Sequence, residues 1–315
     1  MKTNRDGGAS RRTFLGRAAA LAGSAALAGP GSPGDPGSLL ADEGSPTVPR
    51  SAWQLGCFTR PYSRFGYEET LDGIAAAGFT SVGLMTANLA SGRVTLADAN
   101  PAQIDEIREL ASRRDLAISV TYYGGPPVDR SPDAGIQAMR RLVDHCHQAG
   151  CQAIVLGGTT KESLMPAYYD AVAAVCDHAA DRGVALVLKP HGGLNATGPQ
   201  CRQIVERVDH PAFRVWYDPG NIFYYSDGGL DPLDDVASVA GLVTGMCVKD
   251  FEPPKNVELN PGDGEVDFPG LMKRLIAGGF RSGPLVVETL APGDLAATNE
   301  NAAKAYRYLH SLLGG

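Results

Sequence analysis

No CxxC pair occurs among the six cysteines, Cys57, Cys146, Cys151, Cys176, Cys201 and Cys247, which excludes zinc-ribbon and disulfide-scaffold architectures. They lie mostly inside apolar or amphipathic segments and read as buried thiols. Cys146 and Cys151, flanking a helix end and the next strand, are the candidates for a bond in an oxidising compartment. No run of Lys and Arg follows the N-terminus, and the net charge is -7 with a pI near 5.4, so a phosphate-backbone footprint is missing and no nucleic-acid partner is expected. No G-x-G-x-x-G opens the first strand-to-helix turn, which removes the main support for a dinucleotide fold. Long apolar runs are missing too: the stretch after Arg12, "RAAALAGSAALAG", is too short and too rich in Ala and Gly to span a bilayer. What remains is 315 residues, 43% hydrophobic and 20% charged, enough to bury one large core or two small ones.

The N-terminus reads as an address. "SRRTFLG" (10–16) with the apolar stretch behind it has the pattern of a twin-arginine export signal, Arg11 and Arg12 forming the pair and Ala26-Leu27-Ala28 a cleavage site. A signal peptide over 1–28 is therefore expected, and with it a periplasmic or other extracytoplasmic location. Residues 29–50, dense in Gly, Pro and Ser, have no apolar period and should form a flexible linker, so the folded domain is 51–315 and starts near Trp53.

From Trp53 onward short apolar runs alternate with amphipathic segments. The runs are "WQLGC", "TSVGLM", "LAISVTYY", "QAIVLGG", "VALVL", "FRVWYD", "VTGMCV" and "PLVVE". Between them, stretches such as "PAQIDEIRELASRR", "SPDAGIQAMRRLVDHCHQAG" and "YYDAVAAVCDHAADRG" carry apolar positions at helical spacing. Ser131-Pro132 marks a start, and Gly150 and Gly183 mark stops. Eight strands alternating with helices predict an α/β fold, a single (β/α)8 TIM barrel, rather than an open doubly wound sheet.

In such a barrel, function sits where strands end, on residues that break an apolar run with charge. That filter selects Lys189 after the fifth run, Asp218 after the sixth, Lys249 and Asp250 after the seventh and Glu288 after the eighth. On the third run the polar end is Tyr122-Tyr123. One such charge would be an ordinary solvated loop residue. Charges recurring on four adjacent strands converge on one rim, where partial desolvation obliges them to pair, to bind a metal or to bind substrate.

The phrases "KPHGG" after the fifth run, "YDPGN" (217–221), "VKDF" (248–251), "GDGEVDFPGLMKRL" and "GPLVVE" resemble the xylose-isomerase-like barrel superfamily of sugar phosphate isomerases and epimerases. The resemblance runs over the whole domain from Trp53. It implies a divalent metal in the barrel mouth, held by a Glu after strand five, an Asp after strand six, a His near the end of strand seven and a Glu after strand eight. It also implies a pair of glutamates acting as acid and base. Asp218 and Glu288 match two of those ligands. Lys189 stands where the strand-five Glu belongs and Cys247 where the strand-seven His belongs, while His191 aligns with the His of the strand-five phrase and Lys249 and Asp250 are kept.

An ammonium binds no divalent cation and mimics no carboxylate base. Three readings follow. A metal, Mn, Mg or Zn, is held by a shifted set of His191, Asp218 and Glu288. Alternatively the site is metal-free and Lys189 supplies the positive charge, its pKa lowered by desolvation so that it moves protons or forms a Schiff base, with Glu288 or His191 as partner. In the third, the barrel binds a carbohydrate without converting it, using aromatics near the strand ends such as Tyr122, Trp216 and Tyr225. Tyr122, Asn221 and Lys249 are the expected substrate contacts, and Lys189, Glu288 and His191 the expected catalytic groups. The leading function is a sugar isomerase or epimerase that abstracts a proton next to a carbonyl. A lyase or dehydratase on an oxidised keto-sugar comes next, because elimination starts from the same enolate.

Overall fold

The computed structural model describes residues 48–314. The expected signal at 1–28 and most of the expected linker lie outside the described residues. Eight parallel strands close into a barrel in the order β1, β10, β9, β8, β7, β6, β5, β2. They are β1 (Trp53–Phe58), β2 (Ser81–Leu84), β5 (Ala117–Tyr123), β6 (Ala153–Leu156), β7 (Ala185–Leu188), β8 (Phe213–Tyr217), β9 (Val243–Val248) and β10 (Gly283–Val287). All eight apolar runs of the sequence became these strands, so the barrel is a (β/α)8 fold. An antiparallel hairpin, β3 (Ala87–Leu89) and β4 (Gly92–Val94), lies in the loop after β2, and no periodicity announced it.

The runs are continuously apolar because each barrel strand is covered on both faces. Outside, Leu186, Val215 and Leu285 pack under the helices. Inside, Phe58, Val120, Val155, Val187, Trp216, Cys247 and Val286 fill the barrel. Two glycines make room for the largest of these: a Cβ at Gly245 would stand 2.3 Å from the Trp216 ring, and one at Gly83 would stand 2.6 Å from Phe58. Trp216 therefore belongs to the barrel interior and not to a sugar-stacking surface.

The helical punctuation is where the sequence places it. Helix α3 (Pro132–Ala149) starts on Ser131, whose side chain accepts from Ala134 N, and stops at Gly150 with φ 70°. The segment "YYDAVAAVCDHAADRG" instead divides into α4 (Met165–Ala173) and α5 (Cys176–Asp181), where the Arg140 guanidinium reaches the Ala174 carbonyl at 3.4 Å. All six cysteines are buried free thiols, Cys146 and Cys151 included. Among the described residues no helix is long and apolar enough to cross a membrane.

Asp250 is the main correction to the rim picture. It is fully buried, and its carboxylate accepts four backbone N–H groups: Phe251 (2.8 Å) and Val266 (3.0 Å) on Oδ1, Gly262 (2.8 Å) and Gly264 (3.0 Å) on Oδ2. A Cβ at Gly264 would lie 2.5 Å from Asp250 Oδ1. The V-K-D and G-D-G phrases thus occur together because one carboxylate pins the second loop to the end of β9.

Candidate active site

Four strand ends deliver the charged groups to the C-terminal mouth. Lys189 follows β7, Asp218 follows β8, Lys249 follows β9 and Glu288 follows β10, and all four are at most 3% exposed. Glu288 is the hub. Its Oε2 accepts from Lys189 Nζ (2.6 Å) and the Cys247 thiol (2.8 Å); its Oε1 accepts from Lys249 Nζ (2.7 Å) and Arg60 Nη1 (3.0 Å). Asp218 Oδ1 caps the short helix α7 (Pro219–Tyr225) by accepting from Asn221 N at 3.0 Å. Among the described residues its Oδ2 takes no well-directed hydrogen bond and is held by charge, 3.2 Å from Lys189 Nζ and 3.3 Å from Lys249 Nζ.

These neighbours fix the charge states. Burial works against ionising Glu288, yet Lys189 and Lys249 outweigh it and hold the carboxyl well below the usual carboxylate range. Burial would likewise strip the proton from Lys189, but its anionic surroundings reverse that and hold the ammonium well above the ordinary lysine value. Glu288 and Asp218 carry that effect, because burial raises the Cys247 thiol well above its usual value and keeps it neutral. The lowered lysine expected from desolvation alone is therefore corrected in direction: with Glu288 and Asp218 beside it, Lys189 is held as the ammonium.

Spacing makes Asp218, Cys247 and Glu288 a group that could hold a metal, with one ligand atom from each within 4.8 Å of the others. The donor set does not fit a divalent ion while Lys189 is in place. Its Nζ already stands 2.6 Å from Glu288 Oε2, 3.2 Å from Asp218 Oδ2 and 4.0 Å from Cys247 Sγ. An ion bonded to those atoms at about 2.0–2.3 Å would face an ammonium at close range in a low-dielectric interior. The two carboxylates are already balanced by two lysines, and a neutral thiol is a poor ligand. His191, the third member of the shifted set, stands outside this group. Its ring lies between Tyr122 and Tyr225, with centroids 5.7 and 5.6 Å away.

The loop that carries Lys189 and His191 is tied down from both sides. Asn195 Nδ2 donates to Lys189 O (2.8 Å) and Gly157 O (3.0 Å), and Asn221 Nδ2 donates to Pro190 O (2.7 Å). Gly192, at φ 83°, lets Tyr225 lie on the backbone, where a Cβ would meet the ring at 2.6 Å. The His191 ring makes no hydrogen bond among the described residues, and its pKa is lowered to about 4, first by burial and then by the ammonium groups of Lys189 and Lys249. The unfolded chain protonates this histidine near pH 6.5 while the fold resists until about 4, so stability falls as pH drops through that window. His191→Gln should flatten that limb, recovering about 1–2 kcal/mol at around pH 5 in urea titrations.

A cavity of about 500 Å³, a volume usual for small-molecule sites, opens above the cluster. Tyr122, Lys189, His191, Asn221, Lys249 and Glu288 all line it, so the expected catalytic and substrate-contacting residues meet in one place. Asn221 is fixed at both ends of its amide, which spans Lys249 Nζ (3.1 Å) and Pro190 O (2.7 Å), and it positions Lys249. Arg60 and Glu258 are among the lining residues that went unread in the sequence. Arg60 follows β1 in "CFTRP" and pairs with both Glu288 and Glu258. The charge-after-run filter would have found it had it been applied to the first strand. Glu258 has no such signal, because it lies in the loop following β9 and reaches the mouth only through tertiary structure.

A closed parallel barrel whose strand ends bring paired acids and amines to one mouth defines a TIM barrel with its site at the usual face. Residues 71–312 match the xylose isomerase-like TIM barrel family, and the chain belongs to that family. It is 25% identical over 260 residues to a 3-dehydroshikimate dehydratase of Pseudomonas putida, an alignment covering 76% of this chain and 39% of that protein. The chain thus spans about two fifths of the curated relative it matches. Among solved structures it resembles a xylose isomerase domain protein from Planctomyces limnophilus, with TM-score 0.65, 20% identity and coverage of 83% and 97% of the two chains. It also resembles a D-psicose 3-epimerase solved with D-fructose, with TM-score 0.67, 14% identity and coverage of 83% and 100%. At those identities the structural likenesses speak for the fold.

Proposed function

We propose that this barrel enolises a sugar or keto-sugar by removing a proton next to its carbonyl, with a fixed ammonium where metal-ligand atoms converge. The observation that carries this reading is Lys189 Nζ seated among Glu288 Oε2, Asp218 Oδ2 and Cys247 Sγ at 2.6, 3.2 and 4.0 Å. Lys189 and Lys249 face the same cavity, so an oxyanion developing on a bound carbonyl meets two preorganised cations and no charge needs rearranging. Glu288 is a poor base here, with both oxygens engaged by four donors. His191 is neutral at pH 7 with no hydrogen bond among the described residues, and it is the group placed to take the proton.

Epimerisation needs acid and base on opposite faces of the carbon. One free base favours reactions that use a single face, either isomerisation or loss of a β-hydroxyl from the enolate. The likeness to a 3-dehydroshikimate dehydratase supports the second. Tyr122 and Tyr225 beside His191 supply the flat walls against which a ring can lie. We also propose that the folded enzyme is exported through the twin-arginine signal of 1–28, which an N-terminus near residue 29 in the secreted protein would support.

Solvent exchange tests the chemistry. In deuterium oxide the enzyme should wash label into the carbon beside the carbonyl of one member of a ketose and keto-sugar panel, which a mere binder cannot do. The kcat/KM profile should be flat through neutral pH and fall on the acid side with an apparent pKa near 4, and His191→Gln should lose roughly a hundredfold or more in kcat. Activity should also survive exhaustive dialysis against a chelator. Loss on chelation with recovery on adding manganese would sink the fixed-ammonium reading.

A further inference from the structure

Beside the Lys189 cavity lies a second one of about 790 Å³, and the two share Arg60, Met85 and Tyr122 as a common wall. Its charge is one-sided. Arg60, Arg93, Arg130 and Arg141 line it against a single carboxylate, Asp98, in a chain whose net charge is -7. Each arginine comes from a different place: Arg60 from the turn after β1, Arg93 from β4 of the hairpin, Arg130 from the loop after β5 and Arg141 from α3. Some other surface arginines have carboxylate partners, such as Arg114 with Asp72, Arg202 with Glu206 and Arg207 with Asp170, and others reach backbone carbonyls, as Arg64 does Gly293 and Arg140 does Ala174. Arg93, Arg130 and Arg141 are exposed and form no ion pair or side-chain hydrogen bond among the described residues. Guanidinium groups gathered round one concavity repel one another, and a planar fork of donors suits a carboxylate, phosphate or sulfate better than any other partner.

We propose that this cavity is the anion subsite of the enzyme: the substrate is an acidic sugar whose charged arm lies among Arg93, Arg130 and Arg141 while its reacting carbon lies under His191. The inference rests on the proposed enolisation for the second half of that statement and on the arginine cavity for the first. The shared wall lets one ligand span both spaces, with Tyr122 lining each. Carboxylate and phosphoryl groups satisfy the same forks, so the subsite recognises the anion and the probes decide its kind.

The test is calorimetric titration of the whole protein with D-glucuronate, D-glucose 6-phosphate and D-glucose, at low and at raised salt. One of the two acidic sugars should bind at least roughly tenfold tighter than D-glucose, with an advantage that shrinks as salt rises. Arg93→Gln, Arg130→Gln and Arg141→Gln should each weaken that sugar by about tenfold and leave D-glucose unchanged. The acidic sugar that shows the dependence identifies the anion. If neither outbinds D-glucose, or if the triple variant binds the tighter one as the parent does, the subsite is wrong. Deuterium exchange separates the two proposals. Arginine-dependent binding without exchange leaves the subsite standing and removes the reaction; exchange into a neutral sugar that binds as tightly as the acidic ones does the reverse.

Discussion

Lys189→Met should abolish measurable turnover, a fall of roughly a thousandfold or more in kcat, and destabilise the barrel by roughly 3–5 kcal/mol. The side chain is 1% exposed, and its ammonium neutralises Glu288 at 2.6 Å and Asp218 at 3.2 Å. Methionine fills the volume and leaves Asp218 with Lys249, and Glu288 with Lys249 and Arg60. Some of the penalty should relax through protonation of one carboxylate, so the stability loss should shrink as pH falls toward the carboxylate range. Lys189→Glu tests the same geometry from the other side. It adds a third carboxylate beside Asp218, Cys247 and Glu288 and removes the competing cation, so the variant should bind one equivalent of manganese or zinc that the parent does not. Metal analysis and urea denaturation read both variants. A Lys189→Met enzyme that keeps parental kcat would remove the ammonium from the reaction.

Asp250→Ala should be at least as damaging to stability without touching the cavity. Four buried or partly buried backbone N–H groups lose their acceptor together, each at about 1–3 kcal/mol where no water replaces it. The loop from Gly262 to Val266 then loses its carboxylate anchor and keeps the Glu265 N–H bond to the Phe251 carbonyl (2.8 Å) beyond the end of β9. Asp250→Asn keeps one carbonyl oxygen but turns an amide N–H₂ toward two of the donors, and it should fall between parent and alanine in urea midpoint. A midpoint for Asp250→Ala within error of the parent would show that water satisfies these groups equally well.

The eight strands were legible because each is buried on both faces and so reads as an unbroken apolar run bounded by polar residues. The helix ends were legible where a cap has a chemical signature, as at Ser131 and Gly150. The hairpin over 87–94 was not, since strands of three residues carry no measurable period. Asp250 shows a different limit. A charge after an apolar run looks the same in sequence whether it faces substrate or four backbone donors, and only the position of the 262–266 loop tells them apart. Arg93, Arg130 and Arg141 lie on three separate segments with nothing in their spacing to connect them.

Sequence alone determined the barrel and the set of strand ends that carry Lys189, Asp218, Lys249 and Glu288, because hydrophobic period and chain alternation are local properties. Through the family resemblance it also singled out Lys189 as the residue expected in place of a glutamate. Tertiary structure decided the surroundings of that lysine. The charge state of a buried lysine depends on which carboxylates lie within a few ångströms, a balance between desolvation and Coulomb attraction that has no expression along the chain. Folding brings Glu288 and Asp218 to the ammonium and keeps it charged, and the same cations and burial hold His191 neutral beside it.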